Sequence, residues 1–324
     1  MMRVAFYGTG GYARAHAESL RRLGVSIAAC WGTNAEKTTA FARDYGATVF
    51  ADWREMVSKK KCDALYIVIP PFAHDGAVEQ LAVRKGLPFL CEKPVGLELK
   101  LSQKIARKIE KKKLVTSTGY QLRYWAELDE VKSVLARNRL SLVRACRFAS
   151  CPQKAWWLKM ATSGGMVVEQ TTHLVDLLRF LFGEVKSVSA FTASGISSGK
   201  YPDCDVFDSI EGVMRFENGV VGSLGATNLL NNKFSKVVPL EVCGEDFYLH
   251  FEGDKIGYKE KTNEWAEKTL SSANPQDAMN KAFITAIEKN DPSLVRSSYP
   301  DGVRTLALTL AFNKSAFTGK TVGM

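Results

Sequence analysis

Apolar positions in the first third of the chain follow two alternating rhythms. Short, nearly unbroken runs at residues 4–7, 25–31, 64–69, 89–91 and 115–118 have the length and composition of buried strands. Between them, residues 12–23, 35–45, 73–85 and 99–112 place apolar side chains three or four apart, the period of a helix with one buried face. Strands and helices in strict alternation predict a parallel, doubly wound sheet covered on both faces. Such a sheet takes its ligands at the carboxyl ends of its strands.

Beyond about residue 120 the rhythm changes. A helix over 127–138 leads to a strand over 142–150, a loop, and a helix over 171–181. Segments 188–194, 209–216, 220–227, 238–243 and 247–252 then alternate with period two, and Glu217-Asn218-Gly219 is a hairpin signal. Residues 277–289 and 302–318 return to helix. A chain of 324 residues exceeds the size at which one core stops growing, so two domains are expected. The first is the α/β sheet over 1–120. The second, over 121–324, is an α+β domain with a mainly antiparallel sheet, and its C-terminal helix can pack back on the first. The long alternating strands leave one sheet face open to water, so a homodimer or homotetramer is expected.

Composition narrows the function classes. With 46% hydrophobic and 24% charged residues the chain is ordinary for a globular protein. Its net charge of +10 raises the question of nucleic acid. Much of the excess lies in Lys59-Lys60-Lys61 and between residues 100 and 113, where the charges fall among Leu101, Ile105, Ile109 and Leu114. That is the solvated face of an amphipathic helix, and no helix-turn-helix or basic-aromatic platform accompanies it. The seven cysteines are scattered without a C-x-x-C pair, which argues for reduced thiols and against a disulfide framework or a zinc cluster. Four histidines argue against a histidine-rich metal centre, and no metal is expected. No leader precedes the first strand and no apolar run approaches the ~20 residues of a membrane span, so a cytoplasmic protein without a membrane partner is expected.

Three stretches carry chemistry. Gly8-Thr9-Gly10-Gly11-Tyr12-Ala13 follows a predicted strand and opens a predicted helix. Gly8 permits a tight turn, Gly10 lets the backbone approach a pyrophosphate, and a small residue at 13 lets helix pack on strand. The helix amides then face the phosphates. An NAD site usually has a carboxylate at the end of the second strand to hold the ribose 2′-hydroxyl. Here the strand runs instead into Gly32-Thr33-Asn34, with Lys37 following. Gly32 leaves room, and Thr33, Asn34 and Lys37 can donate to a 2′-phosphate, so the cofactor reading leans to NADP over NAD. The alternative is that residues 31–37 form only a loop and helix cap.

The second stretch is Cys91-Glu92-Lys93-Pro94. Lys93 directly follows a buried strand and precedes proline, which restrains its backbone. A lysine there can exchange a hydroxyl proton if burial or a neighbouring cation lowers its pKa. The third runs from Gly164-Gly165 through Glu169 and His173 to Asp176. Spacings of four and three put these side chains near one face of a helix. His173 can relay a proton, and Glu169 can orient a lysine or bind a sugar hydroxyl. Asp176 either pairs with Arg179 or fixes the imidazole tautomer. The third stretch can face the first two from the second domain.

In their order and spacing these pieces, with Pro70-Pro71-Phe72-Ala73-His74, Gly119-Tyr120-Gln121-Leu122-Arg123 and Phe216-Glu217-Asn218-Gly219, resemble the Gfo/Idh/MocA family of nucleotide-dependent oxidoreductases over nearly the whole chain. The resemblance implies a Rossmann domain and an open-faced antiparallel sheet that often packs against a second subunit. It places Lys93 and His173 in the catalytic positions, with Glu169 where many members have aspartate. It adds Ile69, Pro70, His74, Glu92, Lys93 and Gln121 to the cofactor contacts. Arg123, Tyr124, Trp156, Trp157 and Lys159 become candidate substrate contacts, although either tryptophan can equally fill core. The implied activity is hydride transfer between nicotinamide and a sugar, polyol or related hydroxy/oxo compound. The competing readings are a nucleotide-sensing regulator on the same fold, whose mark would be loss of the lysine or histidine, and a glycosidase using NAD for transient oxidation.

Overall fold

The computed structural model describes residues 2–58, 62–231, 236–252, 255–261 and 264–324, and Lys59-Lys60-Lys61 lie outside these. The chain divides into two compact units, Met1–Tyr124 with Ala273–Arg304, and Trp125–Ser272 with Thr305–Met324.

The first unit is built on six parallel strands: β1 (Arg3–Tyr7), β2 (Ser26–Trp31), β3 (Thr48–Val49), β4 (Ala64–Ile67), β5 (Phe89–Cys91) and β6 (Thr116–Thr118). Their order is β3-β2-β1-β4-β5-β6, so the direction of winding reverses between β1 and β4. The helices are α1 (Gly11–Arg22), α2 (Ala35–Tyr45), α3 (Trp53–Ser58), α4 (Ala77–Lys85) and α5 (Leu99–Lys112). Every residue of β4 is buried, as expected of a strand covered on both faces. In α5, Ser102, Ile105, Ala106 and Ile109 are buried, which turns the lysines of that helix to solvent.

Two differences from the sequence pattern have local causes. The apolar run 64–69 stops pairing at Ile67, because Pro70 and Pro71 bring in a 3-10 turn at Pro71–Ala73. The helix expected from residue 73 starts at Ala77, since Gly76 takes a left-handed φ of 75° at the cap.

The core of this unit is completed from far along the chain. Helix α11 (Pro275–Lys289) contributes Met279, Phe283, Ile284 and Ala286 to a cluster with Val4, Phe6, Ala17, Leu20 and Tyr66. Full burial of one such large apolar side chain is worth about 1.5–3 kcal/mol. Arg22 of α1 grips Asp277 of α11 through Nε at 3.0 Å and Nη2 at 2.6 Å.

The second unit carries a nine-stranded sheet. Its strands are β7 (Leu140–Phe148), β8 (Val185–Ala193), β9 (Ser209–Phe216), β10 (Val221–Thr227), β11 (Lys236–Gly244), β12 (Phe247–Glu252), β13 (Lys255–Lys259), β14 (Trp265–Thr269) and β15 (Val322–Gly323). The order is β14-β13-β12-β11-β7-β10-β9-β8-β15, antiparallel except where β10 runs parallel to β7. Helices α6 (Leu128–Ala136), α7 (Met160–Ser163), α8 (Gly165–Glu169), α9 (Thr172–Phe182) and α10 (Ile196–Lys200) belong here, as do residues 305–318 of α12 (Tyr299–Thr318).

The two sheet faces differ in kind. Along β9, Ile210, Gly212, Met214 and Phe216 are buried, while Glu211, Val213 and Arg215 are exposed. A methyl group at Gly212 would lie 2.5 Å from the Phe312 ring, so glycine there admits α12 onto the buried face. The other face carries Arg144, Cys146, Phe148, Glu211, Ser223 and Glu241 around a shallow hollow of about 430 Å³. Phe191, Val213 and Val221 are also exposed.

Candidate cofactor and catalytic sites

The first unit gathers its candidate residues at the carboxyl ends of five strands. At the end of β1, Gly8 has φ +106°, and a Cβ there would sit 2.0 Å from the Val68 carbonyl oxygen, so only glycine can make this turn. Gly10 caps α1 without a side-chain hydrogen bond, and no acidic residue lies in the first helical turn. Neither Gly10 nor Gly11 has an atom within 4 Å of where a Cβ would point. An uncapped helix N-terminus with open space beside two glycines fits a pyrophosphate. Ala13 is fully buried where helix meets strand, and Tyr12 is exposed.

At the end of β2 the reason for Gly32 is steric. A Cβ at this position would lie 2.6 Å from both Thr9 Oγ1 and Thr38 Oγ1. Those hydroxyls are 3.1 Å apart, and Thr38 Oγ1 also donates to the Asn34 carbonyl. The expected room beside Gly32 is therefore filled by this hydroxyl pair. Asn34 Oδ1 accepts from Lys37 N at 2.8 Å and so caps α2. Its side-chain NH₂ is left as a donor, alongside the exposed Thr33 and Lys37.

After β4, Ile69 and Pro70 are half-buried, whereas His74 is buried with Nδ1 2.7 Å from Glu79 Oε1. Cys91 completes a close group with these two, which its position in the sequence did not announce. The His74–Glu79 separation is that of a direct hydrogen bond.

After β5, Glu92 and Lys93 are both buried, Lys93 at 9% exposure. The Glu92 carboxylate accepts from Lys93 N at 3.3 Å, and its Oε1 lies 2.9 Å from His16 Nε2. A Cβ at Gly119 would fall 2.3 Å from that oxygen, which is why glycine opens the segment after β6. His16 was missed in the sequence. Its signal is a polar residue on the buried face of α1, among Ala13, Ala17 and Leu20.

Gln121 starts the 3-10 turn Gln121–Tyr124. Arg123 is buried, donating to the Arg296 carbonyl at 2.7 Å and pairing with Asp301 at 2.6 Å. Burial pushes the Tyr124 hydroxyl up to about 12, and that oxygen accepts from Arg296 N at 2.8 Å. Both candidate substrate contacts are thus engaged by the returning segment of their own unit.

In the second unit the helix expected to carry Glu169, His173 and Asp176 on one face is broken. Glu169 ends α8, and His173 is the second residue of α9. Thr171 N reaches back five residues to the Met166 carbonyl, and this wider turn changes the helical phase between Glu169 and His173. Glu169 is buried. Its Oε2 accepts from Trp157 Nε1 at 2.8 Å and from Gln170 Nε2. His173 is half-buried. Asp176 is buried and accepts from Thr305 Oγ1 at 2.8 Å, and Arg179 donates to the same hydroxyl at 2.6 Å. Trp157, 1% exposed, is a core residue, while Trp156 is half-buried beside the Lys154 ammonium. Lys159 pairs with Asp203 at 3.3 Å.

Residues 2–120 match the model of an oxidoreductase family with an NAD-binding Rossmann fold, and residues 128–250 match the GFO/IDH/MocA C-terminal domain. The chain belongs to the Gfo/Idh/MocA family. It is accordingly an NAD(P)-dependent oxidoreductase. Among family relatives, 1,5-anhydro-D-fructose reductase of Ensifer adhaerens is 26% identical over 93% of this chain and 92% of that protein. Glucose-6-phosphate 3-dehydrogenase of Bacillus subtilis is 25% identical over 86% of this chain and 79% of its own length. The fold is shared with levoglucosan dehydrogenase, solved with NADH and levoglucosan, at a TM-score of 0.88 and 19% identity over 99% of each chain. No helix among the described residues is long and apolar enough to cross a membrane.

Proposed function

We propose that this Gfo/Idh/MocA protein is a dehydrogenase or reductase of a sugar, polyol or related hydroxy/oxo compound, with NADP as the preferred nicotinamide. The reading is carried by the burial of Lys93 at the end of β5, in a unit whose glycine cradle fits a pyrophosphate. Relatives named for sugar oxidation or reduction support the substrate class.

The bound nicotinamide supplies hydride transfer. The chain holds the pyrophosphate on the amides of Gly10 and Gly11 and the first turn of α1. Thr33, Lys37 and the Asn34 NH₂ offer donors to a 2′-phosphate, with no carboxylate at the end of β2 to repel it. Lys93 takes the hydroxyl proton in oxidation and returns it in reduction, and His173 relays it. Glu169, held by Trp157 and Gln170, orients the substrate.

Lys93→Met and His173→Ala test these roles. Neither residue belongs to the glycine cradle, so both variants should keep cofactor affinity. Single-turnover hydride transfer, followed at the nicotinamide absorbance, should fall by roughly 10²–10⁴-fold in each. Near wild-type rates in both would place the reacting centre elsewhere.

A further inference from the structure

In the first unit, the backbone of Lys93 hydrogen-bonds to a chain of buried polar groups whose hydrogens can be counted. His16 is fully buried on α1, with Nε2 2.9 Å from Glu92 Oε1 and Nδ1 3.0 Å from Asn280 Oδ1. An amide can be turned over to exchange its oxygen and nitrogen, so its orientation has to be fixed by its other partners. Tyr66 is one. Burial raises its hydroxyl far above the ordinary phenol value, so it keeps its proton. Its hydrogen-bond acceptor among the described residues is the same Asn280 atom, at 3.3 Å. A buried hydroxyl must place its hydrogen, which makes that atom the oxygen.

Ser19 is the second partner. Its Oγ lies 2.8 Å from the other amide atom of Asn280. With Oδ1 fixed by the Tyr66 hydroxyl, that other atom is the NH₂, which donates to Ser19 Oγ.

The Tyr66 hydroxyl thus turns Asn280 Oδ1 toward His16, and His16 Nδ1 must therefore donate. Its other nitrogen faces a carboxylate oxygen at 2.9 Å. A bare Nε2 and a bare carboxylate would oppose two lone pairs in a buried site.

We infer that the His16–Glu92 contact holds a proton, as imidazolium with carboxylate or as imidazole with carboxylic acid, and that His16 is thereby a positioning residue for Lys93. This second part rests on the proposed role of Lys93. In either form the pair is electrically neutral. Glu92 also accepts from the Lys93 backbone, so an unshared carboxylate charge would sit on the residue next to Lys93 and favour its ammonium keeping the proton. The groups facing the pair are Tyr66 from β4, Cys91 and Lys93 at the end of β5, and Asn280 from α11, with the His74–Glu79 pair next to Cys91. Burial pushes the Cys91 thiol well above its ordinary value, so it stays neutral. Helices α1 and α11 also carry the Asp277–Arg22 ion pair, three residues along from Asn280 and from Ser19.

The test begins with the intact wild-type protein labelled with [15N]histidine, in mildly alkaline buffer above the ordinary histidine range of about 6.5. His16 is identified by its contact with the Tyr66 ring, 5.4 Å away between centroids. A proton on Nδ1 is expected. A neutral ring protonated on Nε2 alone overturns the shared proton.

The positioning role is then read from His16→Gln, which cannot carry the imidazole's proton. The acid limb of the single-turnover pH profile should move upward by about 1 pH unit or more, with cofactor affinity retained. An unmoved limb with retained affinity overturns that role. Failure of the functional reading shows differently, as absence of hydride transfer from the wild-type protein to any sugar or polyol, and leaves the nitrogen spectrum untouched.

Discussion

Trp157 Nε1 donates to Glu169 Oε2 at 2.8 Å, which ties a core indole to the carboxylate that stands four residues before His173. Trp157→Phe keeps most of the apolar volume and removes the donor. A hydrogen bond to a charged group contributes about 1.5–3 kcal/mol, and a unit of this size loses roughly 2–4 °C per kcal/mol, so thermal melting should fall by about 3–12 °C. Glu169→Gln should slow single turnover less than His173→Ala if the carboxylate only orients the substrate. An equal loss would make Glu169 the base.

Cofactor preference is testable at the cap of α2. An acid at Gly32 would collide with the Thr9 and Thr38 hydroxyls, so Gly32→Asp is a poor probe. Asn34→Asp keeps an oxygen for Lys37 N, because aspartate caps helices as well as asparagine does. It also adds a carboxylate that repels a 2′-phosphate. Fluorescence titration should show NADPH binding tighter than NADH in the wild type and a shift toward NADH in the variant. Wild-type NADH affinity equal to or above that for NADPH would remove the NADP assignment.

The Arg22–Asp277 clamp gives a signed pH dependence. Arg22, the largest influence, holds the Asp277 carboxyl below its ordinary value in the folded state. Its stabilisation is then fully present above the unfolded value of about 3.9 and is lost as pH falls through the lowered folded value. Asp277→Asn should lower the melting temperature at neutral pH. The difference should shrink below about pH 4. A constant difference across that range would mean that charge contributes nothing at this contact.

Association is expected through the outward face of the nine-stranded sheet, where Phe191 is 77% exposed among Val213, Val221 and a scatter of charges. Light scattering at micromolar concentration should show a dimer or higher symmetric species. Phe191→Lys should weaken it. A monomer alone would show that this face stays wet.

The parallel sheet was readable because β4, buried on both faces, appears as an unbroken apolar run, and the antiparallel sheet because β9 alternates without a fault. β3 was not, since two exposed residues make no pattern. The break after Glu169 was equally hidden. Gln170 and Thr171 carry no glycine or proline to mark it, and it is made by a backbone bond from Thr171 to Met166. Glycines were read for the right kind of reason at Gly8, where φ is positive, and for the wrong one at Gly32, where neighbouring hydroxyls occupy the space. The partners of Arg123 and His16 come from residues 296, 301 and 280, which no local pattern connects to them.

The return of α11 has a consequence for how the protein is made. A ribosome that has synthesised all six strands of the parallel sheet has not yet supplied Met279, Asn280 or Phe283, which fill the space between α1 and β4. Until then His16 lacks one partner, Tyr66 lacks its acceptor, and Arg22 lacks Asp277. The nucleotide-binding half therefore matures after strands β7 through β14 of the other sheet have been translated. A fragment ending at Tyr124 would be an open, sticky sheet rather than a small stable domain. Order of synthesis and order of completion are reversed in this chain, and the first unit begun is finished late.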